Sequence, residues 1–246
     1  MIDVILTAAG VVLLLFICVL LSDWISLGFF RVRHADEFSS DALPLREAAD
    51  GGHAEAARNY VERQQGESCG GYAAAYVLRH FGMDVTGEEV YAGMIKVWKG
   101  RVWVREVRRQ LEKRGFKTKY WRGTPETLRR ELDKGDPVIL LLNTAESALT
   151  LHFAAATGYD EGHFFLADSA KPVISYSPRR MTPLPGGRLP EGIRVNGPFN
   201  RVVTEEELLK TWDTGSILMP FHRFTYVTVE NGDQRREHIP GGRKTE

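Results

Sequence analysis

The run VILTAAGVVLLLFICVLLS, Val4 to Ser22, is 19 residues long and carries no charge. At ~1.5 Å of rise per residue, a helix of that length spans roughly 28 Å, close to the ~30 Å hydrocarbon thickness of a bilayer. It restricts the chain strongly, because such a helix has no polar face to turn toward water. WISLGFF continues the apolar character after Asp23, and Trp24 suits a membrane interface. No Lys or Arg precedes the run and no A-x-A site comes after it, which argues against a cleaved signal peptide. We therefore expect residues 1–30 to form a single transmembrane anchor. Asp3 is the side-chain charge ahead of the span, and Arg31 and Arg33 stand just beyond it. By the positive-inside rule, the rest of a single-pass chain then lies in the cytoplasm.

In a chain of 246 residues, the part beyond the anchor is long enough for one substantial domain. Residues 31–44 are expected to be a linker, 45–232 the folded domain and 233–246 a polar tail. Lys plus Arg equals Asp plus Glu at 32 each, so net charge gives no sign of a nucleic-acid partner. Of the two cysteines, Cys18 lies in the apolar run and Cys69 in the domain. There is no CxxC metal pattern and no disulfide framework, and no cofactor is implied.

Periodicity divides the domain. LREAADGGHAEAARNYVERQ is helix-prone, with Gly51 and Gly52 splitting it. Tyr72, Ala73, Tyr76 and Val77 stand at helical spacing from Cys69, and Gly82 is the expected stop. Thr86 with Glu89 forms a capping-box pattern, and VWVREVRRQLEKRG is a further amphipathic helix ending at Gly115. Then KTKYWRG resembles a strand, TPETLRRELDKG a short helix opened by Pro125, and PVILLLN a buried strand. LHFAAATGYD and HFFLADS form a hairpin turning near Asp160, Glu161 and Gly162. Lys171 to Asn200 is expected to be a long irregular loop, TEEELLKTW a helix capped by Thr204, and RFTYVTVE a last strand. Helices first and a mostly antiparallel sheet second is an α+β arrangement.

One constellation carries chemistry. A cysteine nucleophile needs a populated thiolate, a stabilised oxyanion and an oriented base. A cysteine in the first turn of a helix gains from unpaired N–H groups and the positive end of the helix dipole, which favour the thiolate. We expect Gly70 and Gly71 to leave room for a substrate backbone beside the sulfur. Gln64, five residues ahead of Cys69, can return over the loop to offer an amide N–H beside that of Cys69; Gln65 is a second candidate. His152 lies on an apolar strand, and hairpin register sets it opposite residues near 168 to 170, within reach of Asp168. That carboxylate would fix the imidazole tautomer. His163 suits a strand start; His53, His80, His222 and His238 show no ligand spacing. The loop arginines Arg179 and Arg180 are candidates for covering a cleft. Against this stands simple packing: a buried Cys, a core His, and Asp168 with Ser169 as turn chemistry.

QQGESCGGYAAAYVLRHFG, GTPETLRRELDKGDPVILLLN and HFAAATGYDEGHFFLADS, in this order, resemble the papain-like cysteine peptidase superfamily. They are similar above all to the branch of double-glycine leader peptidases of bacteriocin transporters and their stand-alone relatives. The resemblance runs over roughly residues 60 to 230. It implies a papain-like α+β fold and a peptide or protein substrate. Carried over, Cys69 is the nucleophile, His152 the base, Asp168 its orienting partner and Gln64 the oxyanion donor. The family's Gln often stands six residues before the Cys, where this chain has Arg63. No GxxxxGKS/T loop is present, so the resemblance does not extend to bacteriocin export. Three activities fit: a membrane-anchored thiol hydrolase working through a thioester, an acyl or amide transferase with the same residues, and a silent peptide-binding module.

Overall fold

The computed structural model describes residues 2–29, 33–34, 59–144, 150–160, 162–170 and 199–231. Most of the expected linker, residues 45–58 of the helix-prone stretch, the loop 171–198 with Arg179 and Arg180, and the tail 233–246 lie outside the described residues.

Helix α1 runs Ile2–Phe29 and contains Val4–Leu21, long and apolar enough to cross a membrane and not buried against the rest of the protein. Next comes a two-residue strand, β1 (Arg33–His34). The other elements are α2 (Cys69–His80), α3 (Gly87–Ala92), α4 (Val104–Glu112), β2 (Phe116–Arg122), α5 (Pro125–Leu132), β3 (Val138–Leu142), β4 (His152–Asp160), β5 (His163–Ala167), β6 (Arg201–Thr204), α6 (Glu205–Trp212) and β7 (Thr225–Asn231). The sheet order is β1-β2-β7-β3-β4-β5-β6. β1 pairs parallel with β2 at the edge, and the other six strands are antiparallel. The architecture is α+β, as expected.

Local chemistry explains most boundaries. Thr86, Thr124 and Thr204 each cap a helix with reciprocal side-chain bonds, and Pro125 opens α5, where its missing N–H costs nothing. Past α2, Gly82 takes φ +85° and its N–H reaches the Arg79 carbonyl; past α4, Gly115 takes φ +93°. One expectation fails. Asn59 to Gln64 are not helical: Val61 packs against Tyr76, Ala155 and Ala167, and the Gln64 N–H bonds the Ser169 carbonyl at 3.0 Å. The packing of this segment along α2 and the hairpin outweighs its helix propensity.

The sheet is covered on both faces, by the helices that precede it and by the two expected within its own half. Ile139, Leu141, Phe153, Val227 and Val229 pack with α2 and α4 through Ala74, Val77, Leu78, Val107 and Leu111. Val138, Leu140, Leu142, Ala154, Phe164 and Tyr226 pack with Leu128 and Leu132 of α5 and Leu208 and Trp212 of α6. This explains why VILLL is uninterrupted: a strand buried on both sides has no reason to alternate. Full burial of each such leucine contributes ~1.5–3 kcal/mol before chain entropy is counted.

Candidate active site

Cys69 is the first residue of α2, 8% exposed, and its neighbour Ser68 uses its hydroxyl on the Gln65 carbonyl at 2.6 Å rather than on the helix. The helix therefore starts without a side-chain cap; the Gly71 N–H bonds the Ser68 carbonyl at 2.9 Å, which leaves the Cys69 and Gly70 N–H groups ahead of the first intrahelical bonds. Gly70 and Gly71 do not open space for a substrate, contrary to expectation. Both are buried, and a Cβ on Gly70 would stand 2.5 Å from Val102 Cγ2. A Cβ on Gly71 would meet Tyr91 Cβ at 2.4 Å and its Cα at 2.8 Å. These glycines let α3 and the segment ahead of α4 close onto the first turn of α2.

His152 opens β4, opposite Leu142, and is 7% exposed; Asp168, just past β5, is fully buried. His152 Nε2 and Asp168 Oδ1 are 2.8 Å apart. Cys69 lies near enough for its side chain and its charge to act on the imidazole titration. Burial pushes the imidazole toward neutrality. The negative charge of Cys69, the Asp168 hydrogen bond, the Cys69 side chain and the Asp168 charge together outweigh it, so the His152 pKa lies well above 6.5. Burial likewise opposes ionisation of Asp168, but the hydrogen bond and charge of His152, then Arg201, then the Ala170 N–H hold its carboxyl below the usual range.

Hairpin register brings these two residues together only because of an irregularity. Near the turn Asp160 faces His163 and Tyr159 faces Phe164; beyond a bulge between Ala156 and Gly158, Ala155 faces Ala167. Continued past Ala155 and Ala167, that register sets Asp168 on the same side of the hairpin as His152. Without the extra residue the parity would reverse and the carboxylate would point away.

Gln64 sits half-buried on the loop before α2. Its Nε2 donates to the Gly66 carbonyl at 2.7 Å, and its Oε1 accepts from Ser169 Oγ at 2.7 Å. Because a carbonyl only accepts, Nε2 must be the atom facing Gly66. Gln65 is exposed. Among the other histidines, His163 begins β5 as expected, His80 lies 3.4 Å from Asp136, and His222 is fully buried with Nδ1 2.6 Å from the Tyr120 hydroxyl. His53 and His238 lie outside the described residues.

Ser169, Asn200 and Arg201 make bonds here that no local pattern announces. Asn200 donates through Nδ2 to the Asp168 carbonyl and accepts the Asp168 N–H through Oδ1, both at 2.8 Å. Arg201 Nη1 lies 3.1 Å from Asp168 Oδ2. In sequence Asn200 reads as the end of a loop, and only the β5–β6 pairing reveals its partner. Tyr91 borders the same place: burial first, then Glu88, Cys69 and Glu67, raise its phenol pKa. Among the described residues, no cluster of three His, Cys, Asp or Glu side chains is arranged to hold a metal ion.

A helix-start cysteine beside an imidazole that an aspartate holds from behind is an arrangement suited to acyl transfer through sulfur. The model of the Peptidase C39 family matches residues 57–183, slightly more than half of the chain. The chain belongs to the Peptidase C39 family. It is thus a cysteine peptidase by family, with the papain-like α+β fold. Three solved structures are similar to it. The peptidase domain of Streptococcus ComA, a bi-functional ABC transporter involved in a quorum sensing pathway, is 14% identical, with a TM-score of 0.47, covering 70% of this chain and 97% of that one. A double glycine motif protease from an AMS/PCAT transporter, in complex with the leader peptide, is 17% identical, with a TM-score of 0.47 and coverages of 70% and 89%. A C39-like peptidase from Bacillus anthracis is 14% identical, with a TM-score of 0.48 and coverages of 71% and 95%. No curated protein matches the chain.

Proposed function

We propose that this C39 peptidase is a membrane-anchored thiol hydrolase that cleaves a peptide or amide bond through a thioester on Cys69. One arrangement supports this: the buried His152 imidazole is hydrogen-bonded to Asp168 at 2.8 Å, and Cys69 is near enough to raise its pKa. The Cys69 thiolate attacks the scissile carbonyl carbon, and the C=O electron pair moves onto oxygen. The Cys69 N–H and the second hydrogen of Gln64 Nε2 hold that oxyanion. His152 passes its proton to the departing amine as the C–N bond breaks, leaving a thioester. His152 then takes a proton from water, the hydroxyl attacks the thioester, and the thiolate leaves. Asp168 keeps the imidazole in one tautomer and offsets its positive charge. Helix α1 holds the domain at the bilayer, with the catalytic face in the cytoplasm.

Iodoacetamide labelling of Cys69 across pH, in a Cys18→Ser background so that one thiol reports, tests the catalytic group. The expected result is rapid labelling well below the ordinary thiol range near pH ~8.5, reverting to that range in His152→Ala. An ordinary thiol profile that His152→Ala leaves unchanged would overturn the assignment.

A further inference from the structure

We propose that Arg201 is a positioning residue for the peptidase reaction, clamping Asp168 Oδ2 so that Oδ1 stays aimed at His152; this rests on the roles proposed above for Cys69, His152 and Asp168. The two oxygens of that buried carboxylate have separate partners. Oδ1 takes His152 Nε2 at 2.8 Å and the Ala170 N–H at 3.0 Å, while Oδ2 takes Arg201 Nη1 at 3.1 Å. A carboxylate with both oxygens assigned cannot rotate without breaking a contact. Asn200, one residue earlier, holds the main chain of Asp168 through its N–H and its carbonyl. The clamp is set by strand register: Asn200 N–H bonds the Leu166 carbonyl at 3.0 Å and Arg201 faces Leu166, which makes Arg201 the same-face diagonal neighbour of Asp168. The charged groups turned to Asp168 are then His152 from β4 and Arg201 from β6, with Cys69 of α2 beyond the imidazole.

Arg201 touches no reacting atom in this scheme; it acts through Asp168, and the test separates that from a general structural role. Iodoacetamide labelling of Cys69 is measured against pH in the full chain carrying Cys18→Ser, with Arg201→Gln, Arg201→Lys, Asp168→Asn and the double variant Asp168→Asn/Arg201→Gln. Without the guanidinium, Asp168 protonates at higher pH and releases the imidazolium. The acid limb of labelling in Arg201→Gln is expected to move up by about one pH unit, a roughly tenfold slower rate at a fixed acid pH. Arg201→Lys, which keeps the charge, should recover most of the loss. In the Asp168→Asn background, removing Arg201 should change nothing further. An unmoved acid limb in Arg201→Gln, or the same shift with and without Asp168, overturns the proposal. If Arg201→Gln does not fold while the double variant does, rescue by neutralising Asp168 supports it; if neither folds, Arg201 is structural and the proposal fails. Loss of the His152 dependence itself would instead remove the catalytic assignment, so the two failures are distinguishable.

Discussion

His152 sits where two effects oppose each other. Burial at 7% exposure disfavours an imidazolium, yet Cys69 and Asp168 raise its pKa above 6.5, so the partners win. Stability contributed by the charged imidazole is fully present below pH 6.5 and is lost as pH rises through the raised value. Asp168 runs the other way: its contribution is present above the ordinary carboxyl value of 3.8 and is lost as pH falls through its lowered one. In an NMR titration of the His152 ring protons, wild type should hold the imidazolium beyond pH 6.5. Asp168→Asn should lower that midpoint by at least about one unit, because desolvation then meets less opposition. A midpoint unmoved by the substitution would show that Asp168 does not govern the imidazole.

At the scale of elements, the first turn of α2 depends on close approach. Gly71 carries no side chain where a Cβ would stand 2.8 Å from the Cα and 2.9 Å from the backbone nitrogen of Tyr91. Backbone cannot step aside, whereas the Val102 methyl facing Gly70 can. Gly71→Ala gains ~1 kcal/mol of helix propensity but incurs overpacking of ~1–3 kcal/mol, and we expect a net loss larger than for Gly70→Ala. Denaturant midpoints of the two variants check this order, and a Gly71→Ala protein as stable as wild type would contradict it. The β4–β5 hairpin shows the same dependence on detail. Its two strands and the turn at Gly162 are legible in alternation and turn residues. The bulge that gives Asp168 its parity is not, because LHFAAATGYD contains no residue that only a bulge would accept.

For the whole molecule, the stretch Val4–Leu21 of α1 is not buried against the rest of the protein. If it anchors the protein, the full chain should stay with membranes through alkaline carbonate washing. Leu14→Arg, near the middle of that stretch, should weaken retention, since an arginine at a span centre costs ~2.5–3.5 kcal/mol on insertion scales. Wild-type protein recovered in the soluble fraction would remove the anchor from the proposal.

Much of the fold was determined by sequence alone, because the signals are local. Capping boxes at Thr86 and Thr204, Pro125 at a helix start, Gly82 and Gly115 past helix ends, and the apolar run of β3 are each decided by a few adjacent residues. The order of Gln, Cys, His and Asp is also read along the chain, and the roles given to these residues belong to the proposal. Only tertiary structure decided the non-local features. β7, last in the chain, enters the middle of the sheet between β2 and β3, and α5 and α6 cover the face that α2 leaves open. The Asp168 clamp joins residues 32 and 33 apart in sequence, Asn200 and Arg201, whose partner is chosen by strand register. Gly70 and Gly71, which in sequence promise room beside the sulfur, are filled by Val102 and Tyr91. Local patterns state which element forms; long-range packing decides what each side chain finally meets.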